Sequence, residues 1–172
     1  LATRPDIVGK ALSDDCSRWQ DKMETFPRAD AIPMIEESLG RSISDLYVSF
    51  DEPIAAASIA QVHSAIADSP QGIRKVAVKV IRPGVRQRFQ RDLESYFLLA
   101  RLQERFVADA RRLKPVQVTE TLAQTTRIEM DLRLEAAALS ELKENTRDDP
   151  GFRVPAVDWE RTGRDVVTME WI

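Results

Sequence analysis

A lysine stands in the middle of an otherwise apolar, strand-like run, Val76-Ala77-Val78-Lys79-Val80-Ile81, and no other feature restricts the fold as much. Period-two alternation puts Ala77, Lys79 and Ile81 on one face and the three valines on the other. Both faces look buried, so the ammonium must find an anion or carry a heavy desolvation cost. Taken alone, Lys79 reads more simply as an edge-strand lysine that snorkels to solvent.

The neighbouring patterns say what kind of sheet holds this run. Leu46, Val48 and Phe50 alternate with polar residues as a first strand, and residues 59–66 read as a second. Asp68-Ser69-Pro70-Gln71-Gly72 is a strong turn signal, so 59–66 and 74–81 make an antiparallel hairpin. Upstream, Leu12, Cys16, Trp19 and Met23 share one helical face, and a second helix runs from about 29 to 39 until Gly40 stops it. Ser42 to Asp45 reads as a turn. Downstream, Phe89, Leu93, Tyr96, Ala100 and Val107 stripe one long helix, and Pro115 opens another that runs to about residue 145. Residues 154–157 and 165–169 look like two further short strands. The order predicts an α+β chain whose antiparallel sheet has about five strands. Residues 1–45 form a helical extension and 46–172 the sheet domain with its inserted helices.

Glu135 changes the reading of Lys79. On a continuous helix it falls inside the sector of Ile128, Leu132, Leu139 and Leu142, a carboxylate within a core-facing stripe. It is either a surface glutamate on a misjudged face or the partner of Lys79. Such a pair makes each charge tolerable to the other, and kinase-like folds use it to aim a strand lysine at nucleotide phosphates.

Other chemistry has less to work with. A formal net charge of −3 disfavours phosphate-backbone binding, so no nucleic-acid partner is expected. Cys16 is the single cysteine and His63 the single histidine, so a disulfide framework, a metal site or a Ser-His-Asp triad has little support. His63 reads as a strand residue with local hydrogen bonds. No apolar stretch approaches the roughly 20 residues that span a bilayer. Ala55-Ala56-Ala57-Ser58 lies between the first two strands. Small side chains there let backbone N–H groups approach phosphates, although taken alone a plain packing loop is the simpler reading. Ala60 and Val62 share a strand face that would roof a base beside Ala77.

Phe50 to His63, Val76-Ala77-Val78-Lys79-Val80 with Arg82-Pro83-Gly84, and Glu129-Met130-Asp131 followed by Glu135-Ala136 together resemble the UbiB family. These are atypical protein-kinase-like ATPases, the ADCK group, linked to ubiquinone biosynthesis. The resemblance runs in register over the whole chain, and its most specific part is the alanine-rich loop followed by Ser-Ile-Ala-Gln-Val-His. It implies a kinase-like N-lobe with an N-terminal helical extension and long inserted helices. By this resemblance, Lys79 matches the strand lysine and Glu135 its helix partner. Ala55, Ala56, Ala57 and Ser58 match the loop that replaces a glycine-rich one. Val62 and Ala77 flank the base, and Met169, Glu170, Trp171 and Ile172 belong to the gatekeeper and hinge. Glu129 and Asp131 match a regulatory ExD motif. An i,i+4 pair of Glu129 with Arg133 is the plain alternative.

The resemblance further implies ATP and Mg²⁺ as cofactors, with the metal ligands and catalytic loop expected after Ile172 and none in these residues. The family's KxGQ motif is expected before Leu1; Gly9-Lys10-Ala11 does not substitute for it. By itself the chain is expected not to turn over ATP. Prenyl-quinone lipids and ubiquinone-biosynthesis proteins are the expected partners of the whole protein, on the cytoplasmic side of a bacterial inner membrane. A catalytically inactive scaffold holding a lipid or a biosynthetic partner is the alternative.

Overall fold

A computed structural model describes residues 23–172, residue 71 excepted. The expected helix through Leu12, Cys16 and Trp19 lies outside the described residues. The first described helix, α1 (Arg28–Leu39), ends at Gly40, whose φ of 64° and N–H bond to the Glu36 carbonyl complete a left-handed cap. A one-turn helix, α2 (Ile43–Leu46), follows, with the Ser42 side chain capping the Asp45 amide.

Four strands make one antiparallel sheet in the order β1 (Ser49–Ala56), β2 (Ala60–Ala67), β3 (Arg74–Ile81) and β4 (Val166–Glu170). The β2–β3 hairpin and the β3 lysine strand stand where the alternation placed them. The first strand does not. Leu46 closes α2 and is fully buried, Tyr47 is buried beside it, and Val48 is 63% exposed. A turn feeding Leu46 and Tyr47 into the core imitates the first steps of a strand. The expected strand over 154–157 is reduced to a single bridge between Val157 and Met169. Pro155 has no N–H to give to a ladder, and Asp158 turns into a 3₁₀ segment, Trp159–Arg161.

Between β3 and β4 lie α3 (Val85–Phe106), α4 (Ala108–Arg111), α5 (Pro115–Glu129) and α6 (Leu132–Asn145). Of the expected α3 stripe, Leu93 and Ala100 are buried, while Tyr96 and Val107 are exposed. The single helix expected over 115–145 is two helices. Asp131 is extended, at φ −109° and ψ 96°, and its side chain caps the new helix. The Leu132 amide leaves the helical pattern and donates to the Arg164 carbonyl at 3.0 Å. Ile128 and Leu142 therefore point outward, while Leu132 and Ala136 are seated against the sheet.

The two faces of the sheet are covered unequally. Val76, Val78, Val80, Ala65, Ala67 and Phe50 pack with Ala31 and Ile35 of α1 in a dry core. On the other face, Ala60, Ile81 and Val167 lie under Leu132 and Ala136 of α6. Ala77, Val62 and Lys79 on that face are only half-buried. The expectation that both faces of β3 are buried thus holds for the valines and Ile81 alone. Ala60, expected beside Val62 in a roof, is covered by α6.

Candidate functional site

Lys79 lies opposite Val62 of β2 and Val167 of β4, so the three side chains share the half-open face. α6 crosses that face and carries Glu135 in its first turn. The Lys79 Nζ donates to both carboxylate oxygens of Glu135, at 2.7 Å to Oε1 and 2.6 Å to Oε2. The side chains are 25% and 38% exposed, so water screens the pair and its net worth is only about 0–1 kcal/mol. Its importance is geometric: a flexible four-carbon stem is held in one direction. The helix start favours a carboxylate there as well.

The pair borders a cleft of about 400 Å³ whose walls include Ile59, Ile128, Glu129, Asp131 and Leu134. The break between α5 and α6 places Glu129 and Asp131 on the same cleft as Lys79 and Glu135. Asp131 is already engaged. Its Oδ1 accepts from the Arg133 amide at 3.1 Å and from the guanidinium Nε at 2.9 Å, and its Oδ2 accepts from the same guanidinium at 2.6 Å. Those bonds with Arg133 hold its carboxyl below the usual range. Arg133 is thus the partner of Asp131, and the Glu129–Arg133 alternative fails because the two residues are no longer on one helix. Glu129 is exposed and forms no ion pair among the described residues.

The alanine-rich segment is mostly strand. Ala55 pairs with Val62 and Ala56 with Gln61, leaving Ala57-Ser58-Ile59 as a tight turn closed by the Ala57 amide on the Ala60 carbonyl at 2.8 Å. Arg82 grips the turn from outside. Its Nε donates to the Ala57 carbonyl at 3.0 Å and its amide to the Ile59 carbonyl at 2.8 Å. Among the described residues only Lys114 has a positive φ without being glycine, so these alanines occupy backbone regions open to any L residue. Ala55, Ala57 and Ser58 are exposed at the mouth of the hairpin.

Val62, Ala77 and Met169 line up on the half-open face, with Ala77 opposite Met169. Glu170 directs its carboxylate elsewhere. It accepts from Arg153 at 2.9 Å and from the Ala156 amide at 3.2 Å, and Lys143 of α6 lies 3.7 Å away. The Arg153 bond, helped by that amide, keeps the Glu170 carboxyl below its ordinary range. Ile172 is exposed at the end of the chain.

Sequence reasoning did not find Ile59, Ile128 and Leu134 as cleft residues, because nothing marks them until the turn and the helix break are in place. It also left unexplained the Gln61-Val62-His63 part of the most specific segment. Gln61 bonds both backbone groups of Phe26, at 2.9 and 3.0 Å, and its Nε2 donates to His63 Nε2 at 2.8 Å. That donor leaves the His63 Nδ1–H to serve the Asp51 carbonyl at 2.9 Å, a neutral tautomer fixed from both sides. His63 is fully buried, and its ring stacks on Phe50 at 4.5 Å. Burial pushes its pKa down. Gln61 and His63 tie the segment before α1 to the sheet.

Among the described residues no group of three or more His, Cys, Asp or Glu is placed to hold a metal ion. No described helix is long and apolar enough to cross a membrane. Residues 18–172 match the ABC1 atypical kinase-like domain. Over its whole length the chain is 38% identical to a probable protein kinase UbiB of Marinobacter nauticus. It is 41% identical to the one of Pseudomonas fluorescens, strain SBW25, and 40% to that of Pseudomonas aeruginosa, strain LESB58. It spans 31–32% of the length of these curated relatives.

Proposed function

The chain belongs to the ABC1 atypical kinase-like family, and on that premise we propose that it is the ATP-gripping N-lobe of an atypical kinase or ATPase that supports ubiquinone biosynthesis. The observation that carries this reading is the two-pronged Lys79–Glu135 pair on the half-open face of the sheet. Lys79 engages the phosphates, and Glu135 keeps its ammonium aimed at them. The hairpin mouth at Ala55, Ala56, Ala57 and Ser58 covers the phosphates. Val62 and Ala77 contact the base, and the backbone at Met169, Glu170 and Ile172 reads its edge.

The residues present fit the nucleotide better than the metal. A half-buried lysine, small strand residues and an open cleft suit a phosphate chain. Of the local carboxylates, Glu135 is committed to Lys79 and Asp131 to Arg133, which leaves Glu129 alone, too few for a metal site. Mg²⁺ ligands and the base are therefore assigned to the remaining length that the relatives have, and these 172 residues are proposed to bind ATP without turning it over. Glu129 and Asp131 are proposed as regulatory groups at the edge of the cleft. Membrane association belongs to the whole protein in this reading.

A scaffold for a prenyl-quinone lipid or a biosynthetic protein is the second reading. It draws on an apolar groove of about 480 Å³ between α3 and α5, lined by Tyr96, Leu99, Leu113, Val118 and Leu122. Nucleotide-dependent melting of the full-length protein separates the two. The proposal requires an ATP-induced rise in melting temperature that Lys79→Ala removes; no rise in the parent protein leaves the scaffold.

A further inference from the structure

At the break between α5 and α6, three arginines from three segments line a hollow of about 190 Å³ that shares no lining residue with the Lys79 cleft. Arg86 comes from the first turn of α3, Arg127 from the last turn of α5, and Arg164 from the approach to β4. Phe89, Leu93 and Met130 supply apolar walls. The guanidinium of Arg86 donates to Asp165 and to the Met130 carbonyl, which builds the hollow into the fold. Its Nε is buried and has no acceptor. A buried donor without a partner is uncommon, though Arg74 Nε is another, and a bound water or ion is one way to satisfy it.

The charges do not balance. Asp165 offsets Arg86, and Asp131 is taken by Arg133. Arg127 and Arg164 are exposed and pair with no carboxylate among the described residues. Two solvent-exposed guanidiniums are thus left without an ion-pair partner beside the apolar walls, although Asp131 is near enough to feel the Arg164 charge. Their planar forks suit tetrahedral oxyanions, and a phosphate monoester carries about −1.5 to −2 charge at neutral pH. The volume falls below the ~300 Å³ at which ordinary ligand pockets begin, enough for a phosphate and its ester carbons but not for a nucleotide.

We propose that Arg86, Arg127 and Arg164 form a binding site for a phosphate monoester, separate from the cleft at Lys79. The apolar walls take the first carbons of the esterified group. The Met130 carbonyl held by Arg86 lies between Glu129 and Asp131, so the site backs directly onto the turn that carries both.

The test uses the full-length protein in phosphate-free buffer, titrated calorimetrically with glycerol 3-phosphate. A parallel arm measures flotation with phosphatidylcholine vesicles with and without phosphatidic acid. The parent protein should bind the soluble ester, and the Arg127→Gln/Arg164→Gln protein should bind it roughly tenfold more weakly or worse. Lys79→Ala, and an Arg101→Gln/Arg112→Gln control of equal charge change, should bind like the parent. If the soluble ester fails but phosphatidic acid captures the parent and not the Arg127/Arg164 variant, the phosphate arrives on a lipid and the site stands. Absence of binding in both arms overturns the proposal. So does binding that survives loss of Arg127 and Arg164, disappears with Lys79, or falls equally in the control.

Discussion

The carboxylate of Asp131 accepts the amide N–H of Arg133 at 3.1 Å, and that bond starts the helix on which Glu135 stands. The phase of Glu135 around α6 is therefore set at Asp131 and not by the helix before it. Removing the cap with Asp131→Ala should cost about 0.5–2 kcal/mol, the usual range for a lost N-cap. Asp131→Asn retains a capping oxygen and should recover most of the loss. Urea unfolding of both variants measures this. Equal destabilisation by Ala and Asn would mean that the Arg133 ion pair, not the cap, holds the turn.

Lys79 and Glu135 are partly exposed, so their pair should contribute little to folding and much to binding. Lys79→Ala and Glu135→Ala are each expected to shift unfolding free energy by no more than about 1 kcal/mol. Both should nevertheless abolish the ATP-dependent melting shift and the ATPase activity proposed for the full-length protein. Unchanged activity in both variants would sink the site assignment.

Ala56 ends β1 beside the turn, with an ordinary backbone conformation. Ala56→Gly frees φ at the mouth of the proposed phosphate cover and should weaken the strand end by roughly 0.5–1 kcal/mol. Nucleotide affinity should change with it. An identical nucleotide melting shift in mutant and parent would count against a role for this hairpin.

His63 should make stability depend on pH in a definite direction. Its folded pKa lies below the ordinary 6.5 because burial favours the neutral ring. Above about pH 6.5 neither state is protonated and nothing changes. As pH falls below that value the unfolded chain takes up a proton that the folded chain declines, so stability drops. Urea midpoints between pH 7.5 and 5.5 should fall less in His63→Gln than in the parent, although the variant starts lower; parallel curves would refute this.

Tyr47 should act at the alkaline end. Burial raises its pKa to about 12, outweighing a hydroxyl bond to Thr168 at 2.6 Å that pulls it down. Its contribution is intact below about pH 10, where the unfolded chain begins to ionise, and is lost as pH climbs towards 12. Tyr47→Phe should flatten that alkaline decline in thermal melts.

Alternation alone placed β2 and β3, because their side chains repeat every second residue and a turn signal separates them. Helical pattern and stop signals located α1 and α3. An anionic residue within a supposed apolar stripe raised Glu135 as a candidate partner for Lys79, one of two readings, although two members of that stripe, Ile128 and Leu142, are exposed. The same periodicity misled at the α5–α6 break. Residues 115–145 have helix-forming composition throughout, and the break depends on groups far away in the chain: the Arg164 carbonyl that takes the Leu132 amide, and Arg86 on Met130. Likewise, the turn at Ala57-Ser58-Ile59 owes its shape to Arg82, and Gln61 and His63 acquire their meaning only from Phe26 and Asp51. Local pattern located most of the elements and raised the lysine–glutamate pair as a candidate. Hydrogen bonds between segments far apart in sequence, whose energy no local window contains, decided where the helix breaks and so what surrounds Lys79.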